Sequence, residues 1–457
     1  MNAKLKLIYP TINLFLYDLR DGLGDSQDAI NQRREKFWRR LPNGDRTLTE
    51  SQNLEDREGS YIELLPKQYQ PLPDANGYYY PVKLNDTYAL QIDCSANPQG
   101  SKDAYAIAKL KESKQIIRDR HTSPATLGET WLIWGKLEHQ NQDPSETAKE
   151  CYRLFSNDSW QLEPTNRGTF KKAHLFEISR FSTPSVKADD RNHIIICLFP
   201  ADYPESDLKR TIPELYRELM QFFSYYHKIN WIYQTSRSVK QDLKKAAIAI
   251  QAKTNELPHR VLQKSIDLQQ LQQDLTSTLT LFSVYASSLS TLEEYKYAIA
   301  VNLNNYNKRL TQFTPTDGDE RSFLFAPFRD YALEKYQPQI TTDYNSASAS
   351  LTLLENTIKT LEGIVQLEQA KRDRNLNETI FIVSAGIGTA SASASAIAGF
   401  AEQIIVNWFP PRETDPLSTG YLFGIYSFSL ILSILVGLGF SGVMGLVMKF
   451  MAKIKNR

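Results

Sequence analysis

The chain has 457 residues, a formal net charge of +1 and a mean hydropathy of −0.42. That length exceeds one ordinary domain, and the near-zero charge argues against a nucleic-acid partner. Three widely spaced cysteines, Cys94, Cys151 and Cys197, with no CxxC, argue against a disulfide framework or a zinc site and fit a reducing compartment. The first stretch, MNAKLKLIYPTINLFLYDLRDG, resembles a signal peptide only superficially. Pro10, Asn13 and Asp18 interrupt its apolar part, no small-residue cleavage site follows, and it is expected to form a β-strand.

Residues 1–205 alternate short β-type runs with charged segments and are expected to form a mixed α/β domain. The runs are LIYPTINLFLY, YIELLP, GYYYPVKL, TYALQIDC, TWLIWGKL, HLFEIS and HIIICLFP, bounded by Gly, Pro, Asn and Asp. Ser26–Arg40 and Asp103–Arg118 have helical composition, while Asp45–Arg57 and Glu138–Ala148 look like loops. The character changes after Pro200. From Ile212 to about Glu256 the chain is almost all helix former, with Pro213 suited to a first turn and Pro258 expected to break the helix. From Val261 to Leu310 a heptad pattern runs: Leu268, Leu275, Phe282, Leu289, Leu303 and Leu310 in one position, Leu271, Tyr285, Leu292, Ile299 and Tyr306 in the other. Thr278 and Lys296 are its polar breaks. The pattern fits a coiled-coil-like helix or an ordinary helical bundle, within a helical region at 206–340. A loop at Thr314–Glu320 and a short helix around Phe323–Tyr336 follow, and Pro338 is expected to break the chain again. A last helix is expected from near Thr342, with a stripe of Leu351, Leu354, Ile358, Leu361 and Val365.

Two charge-poor runs end the chain, Glu378–Phe400 and Gly420–Met448. About 20 mostly apolar residues cross a bilayer core. The expected layout is a stalk at 341–377 continuous with a first transmembrane helix at 378–409, an external loop at 410–419, a second span at 420–448 and a basic tail at 449–457. Lys371, Arg372 and Arg374 precede the spans, and Lys449, Lys453, Lys455 and Arg457 follow them. Both termini are therefore expected on the cytoplasmic side, of the inner membrane in a bacterium, with Trp408, Phe409, Tyr421 and Tyr426 at the outer interface. The fold class expected is an α+β membrane protein: a mixed α/β domain, long coiled-coil-like helices and a two-helix transmembrane hairpin.

The first span carries a polar stripe on one helical face: Asn377, Ser384, Gly388, Ser391, Ser395, Gly399, Gln403 and Asn407. Two readings stand. Small residues let membrane helices pack closely, or the stripe lines a wet pore in an assembly. The amides at both ends favour the pore, with Glu402 as a pore-mouth candidate or a side chain that snorkels to water. Gly437, Gly439, Gly442 and Gly445 in the second span suit helix packing, and GLGFSG lacks the preceding strand of a dinucleotide site. No G-x-x-x-x-G-K-[ST], H-E-x-x-H or G-x-S-x-G occurs. The six histidines, His121, His139, His174, His193, His227 and His259, lack ligand spacing and read as surface or core residues. Asp189-Asp190 and Asp317, Asp319 and Glu320 read as solvated, although such groups can hold a divalent cation between subunits. No active-site constellation is present, and an enzyme is not expected.

The order of these parts resembles the CorA-like magnesium and divalent-cation channel superfamily. Ala326-Pro327-Phe328-Arg329-Asp330-Tyr331 is similar to that family's segment leading into its stalk. Asn377-Glu378 stands where the family often has an Asn-Glu pair at the cytoplasmic mouth of the pore, and Ala398-Gly399-Phe400 resembles the end of its first span. The family's Gly-Met-Asn is absent; Ala401-Glu402-Gln403 occupies that place. The resemblance implies a homopentamer in a lipid bilayer, first spans around the axis, no cofactor beyond a divalent cation such as magnesium, and a cation path gated by the cytoplasmic domain. The alternative is a membrane-anchored sensor, effector or scaffold of this architecture without selective transport.

Overall fold

The computed structural model describes residues 5–22, 25–42, 44, 54–97, 103–121, 123–156, 167–179, 193–261, 268–313 and 324–372. They fall into two units: 1–245 with 285–349, and 246–284 with 350–457.

The first unit is built on a 10-stranded sheet. Its strands are β1 (Lys6–Leu19), β2 (Ile62–Glu63), β3 (Gln70–Pro71), β4 (Gly77–Leu84), β5 (Thr87–Ser95), β6 (Ala104–Ala106), β7 (Gly128–Leu137), β8 (Arg167–Phe170), β9 (Ala173–Ile178) and β10 (His193–Phe199). The order is β2-β4-β5-β1-β7-β10-β9-β8, with β3 on β4 and β6 on β1. Only the β7–β10 pairing is parallel. Helices α1 (Gln27–Trp38), α2 (Lys109–Arg120) and α3 (Pro144–Ser156) cover one face. The long α4 (Glu205–Val261) covers the other with its first half. The central strands are buried on both sides, so they read as near-continuous apolar runs. Leu14, Leu16, Trp131, Ile133, Ile194 and Ile196 join the core under α1–α3. The alternate residues Asn13, Phe15, Tyr17, Thr130 and His193 meet α4.

Most of the expected strands form, but YIELLP supplies only β2. Asp103–Arg118 divides into β6 and α2, because Ala104–Ala106 pairs with the start of β1. Part of the expected loop at Glu138–Ala148 is instead the first turn of α3. Asp143 starts it by accepting the Ser145 and Glu146 N–H groups at 2.7 and 3.3 Å. Ser26 caps α1 by accepting from the Ala29 N–H at 3.2 Å.

Three long helices follow the sheet: α4, α5 (Leu268–Leu310), and a run made of α6 (Ala326–Tyr331), a π-helical turn (Ala332–Tyr336) and α7 (Gln337–Arg372). Each expected proline boundary differs. Helix α4 begins at Glu205, so Pro213 lies inside it on an exposed position, where water can take the carbonyl its missing N–H leaves free. Pro258 lies inside α4, which is described through it to Val261. Pro338 follows the π turn, whose wider ladder absorbs the missing donor, so the last helix starts before Thr342. Heptad residues of α5 are buried in both positions, namely Leu271, Leu275, Tyr285, Leu289, Leu292, Ile299, Leu303, Tyr306 and Leu310, while Phe282 is half-buried. Both polar breaks are accommodated. Thr278 donates to the Asp274 carbonyl at 2.7 Å, and the Lys296 ammonium lies 4.0 Å from the Tyr344 ring centre.

In the first unit Asp343 of α7 pairs with Arg237 and Lys240 of α4 at 2.5 and 2.7 Å, and Tyr233 stacks on Tyr336 at 3.9 Å. In the second unit Leu271 and Leu275 of α5 meet Ile358, Leu361 and Val365 of α7, most of the stripe read for the last helix. Among the described residues no helix is long and apolar enough to cross a membrane. The charge-poor runs at 378–400 and 420–448 lie outside them.

Candidate functional site

The pore-lining candidates Asn377, Ser384, Gly388, Ser391, Ser395, Gly399, Gln403 and Asn407, and the mouth candidate Glu402, lie outside the described residues. So do Asp189-Asp190, Asp317, Asp319 and Glu320. Among the described residues no cluster of three His, Cys, Asp or Glu suits a metal ion. The cysteines are buried and free, and burial pushes all three thiols up, away from reactive thiolate.

The polar chemistry of the first unit concentrates where the sheet meets α4. Register places it there: Thr130 of β7 lies opposite His193 of β10, and Asn13 of β1 opposite Asp93 of β5. One cluster runs from Glu177 through His193 and Thr130 to His227. Glu177 Oε1 is 3.1 Å from His193 Nε2, His193 Nδ1 is 2.9 Å from Thr130 Oγ1, and Thr130 Oγ1 is 2.7 Å from His227 Nε2. All four are at most 5% exposed. Burial pushes the Glu177 carboxyl up to about 8 and His193 down to about 3, and it holds His227 well below its usual range. With His193 neutral, the Glu177 contact is a hydrogen bond rather than an ion pair. Tyr226 stacks on His193 at 4.4 Å and Tyr17 lies 5.0 Å from His227.

The second cluster centres on Asp93. Tyr216 of α4 donates to Asp93 Oδ2 at 3.1 Å and accepts from Trp134 Nε1 at 2.6 Å and from Asn13 Nδ2 at 3.1 Å. Gln91 Nε2 donates to Asn13 Oδ1 at 2.7 Å. Burial pushes the Asp93 carboxyl up to about 7, against the opposing hydrogen bonds from Tyr216 and Asn13. Neither Asp93 nor Glu177 has a lysine or arginine partner among the described residues.

Gly128 fits the first cluster closely. A Cβ there would fall 2.2 Å from His227 Nδ1, and its φ of +153° disfavours any side chain. Replacing it would push α4 off the strand at this point.

An open groove of about 510 Å³ is lined by Tyr61, by Glu214, Arg217, Glu218 and Gln221 of α4, and by Arg309 of α5. Its charges are already engaged: Arg309 bonds Glu218 at 3.2 Å and also Gln221, Glu214 pairs with Lys171, and the Arg217 guanidinium lies 4.7 Å from the Tyr61 ring centre. It presents no surplus charge beyond Arg217.

The histidines read as surface or core residues divide accordingly. His121, His193 and His227 are buried, and His139 is exposed. No local spacing in the sequence announces the approach of His193 to His227 through Thr130, or the parts played by Glu177, Asp93 and Tyr216. A signal for them exists: Asn13, Asp93, Glu177 and His193 each interrupt an otherwise apolar strand at a position of one alternation phase. No family model matches the chain, and no curated protein or solved structure matches it.

Proposed function

We propose that the chain is a divergent CorA-like membrane protein that passes or gates cations, assembled from several copies. The observation that carries this reading is the order of its parts. A sheet domain is followed by three long helices, and the last, α7, is described to Arg372, close before the charge-poor run that opens at Glu378. The first span, with its stripe from Asn377 to Asn407, lines the path, and Glu402 stands at its mouth. Selectivity rests on hydration and charge, with no covalent chemistry. The sheet domain acts on the path through α4, α5 and α7, which hold one another at Asp343–Arg237 and Tyr285–Ala347.

Ala401-Glu402-Gln403 in place of Gly-Met-Asn favours a second reading, a membrane-anchored sensor, effector or scaffold without selective transport. Liposome flux separates the two. The channel reading expects cation flux from the purified protein, reduced about tenfold or more by Ser391→Leu and altered by Gln403→Ala. A parent without flux supports the anchored sensor, and flux unchanged in both variants removes the stripe from the path.

A further inference from the structure

We propose that the seam between the sheet and α4 is a proton-linked latch: Glu177 and Asp93 keep protons while α4 is docked, and releasing them loosens the helix. Two buried carboxyl groups lie under one helix, and each connects to it through one polar residue, His227 for Glu177 and Tyr216 for Asp93. Those residues stand about 16 Å apart along α4 at 1.5 Å per residue. Every group facing them is neutral. Around Glu177 stand Ser179 of its own segment, His193 of β10, Thr130 of β7, Tyr226 and His227 of α4, and Tyr306 of α5. Around Asp93 stand Asn13 of β1, Gln91 of β5, Tyr78 of β4, Trp134 of β7 and Tyr216 of α4. An unpaired charge there would be buried uncompensated.

Hydrogen-bond direction adds a second element. Thr130 has one hydroxyl proton for two ring nitrogens, so it donates to one histidine and accepts from the other. With Glu177 protonated, its O–H donates to His193 Nε2. His193 Nδ1–H then donates to Thr130, Thr130 donates to His227 Nε2, and His227 keeps its proton on Nδ1. With Glu177 ionised, it accepts from His193 Nε2–H and each direction reverses. Thr130 now donates to His193 Nδ1 and His227 Nε2–H donates to Thr130. One proton leaves the cluster in total, the others move one place along it, and His227 changes tautomer. The ring concerned is the one Gly128 holds in place.

The linkage has a definite sign. Both carboxyls are raised above their ordinary values, so their contribution is complete in acid and is lost as pH rises toward about 7 for Asp93 and about 8 for Glu177. This latch does not depend on transport, and its test reads no ion flux. The full chain in detergent is melted between pH 6 and pH 9, followed by tryptophan fluorescence, with infrared spectra of the carboxylic-acid band at both ends. Expected is a fall in Tm of roughly 10 °C across that range, and a buried carboxylic-acid band at pH 6 that is gone at pH 9. In the combined E177Q and D93N variant neither position can ionise, and the amide at position 177 can donate to His193 in place of the acid's O–H. That variant should lose at least about half of the fall, and the band with it. If the pair does not fold together, each single variant should lose part of both. A variant with the parent's full fall, or a parent without the band at pH 6, overturns the latch.

Discussion

The two faces of the sheet bury carboxylates in opposite ways. Under α1–α3, Asp18 accepts from Arg40 Nε and Nη2 at 2.9 and 3.3 Å and from the Thr126 N–H at 2.8 Å. Arg40 spends its remaining donors on the Ser123 and Pro124 carbonyls. On the same side Glu55 meets Arg34 at 2.7 Å, Trp38 Nε1 at 2.6 Å and the Tyr88 hydroxyl at 3.2 Å. Under α4, Asp93 and Glu177 have only neutral donors. An arginine partner balances a buried carboxylate's charge with bidentate hydrogen bonds and fixes loops in place. A neutral environment leaves the proton as the charge-balancing partner. One face is thus fastened by carboxylates paired with arginine, and the other by carboxyls without a cation, which titrate near neutrality.

The largest effect expected from this contrast is at Arg40. Arg40→Ala leaves Asp18 buried without its cation and should cost about 3–5 kcal/mol in chemical denaturation. On the α4 face the corresponding loss is at Gly128. Gly128→Ala should cost about 3 kcal/mol, since the new Cβ meets His227 and the backbone angle is unfavourable. A cost below about 0.5 kcal/mol would show that α4 yields freely at that point.

Acid should weaken the fold through the buried histidines. Burial lowers His121 to about 4, helped by Arg40, Arg120 and Arg118, and lowers His193 to about 3. A lowered group contributes fully above its ordinary value near 6.5, and that contribution is lost as pH falls toward the folded value. Between about pH 6.5 and pH 4 this loss opposes the gain from Asp93 and Glu177, and His121→Phe should remove about 2 kcal/mol of it, read as a higher Tm relative to the parent at pH 4 than at pH 7. The smallest effect is next door to the largest. Arg39 pairs with Glu35 on the exposed face of α1 at 3.3 Å, and Arg39→Ala should change stability by less than about 0.5 kcal/mol. An Arg39 effect equal to that of Arg40 would remove the distinction between buried and exposed pairs on this face.

Much of the fold was legible along the chain. Strands such as GYYYPVKL and HIIICLFP carry their signal in β-branched and aromatic side chains, and the α5 heptad marks its buried face. Prolines misled because a proline breaks a helix only where the lost hydrogen bond has no substitute. Pro213 is exposed to solvent, which can bond the carbonyl left free, and Pro338 follows a π turn. The seam was hidden for another reason. Glu177, His193 and His227 are separated by 16 and 34 positions, and no local spacing announces a contact made only when α4 lies across the strands.

By itself the sequence determined the elements: alternating strands, amphipathic helices and the charge-poor runs at the end. Those signals are local, because side-chain periodicity follows from backbone geometry alone. The tertiary structure decided which polar residues share a dry environment. Strand register sets Thr130 beside His193 and Asn13 beside Asp93, and α4 closes over them with His227 and Tyr216. Burial then determines whether a carboxyl group is an anion or an acid, since removing water penalises the charged form wherever no cation replaces it.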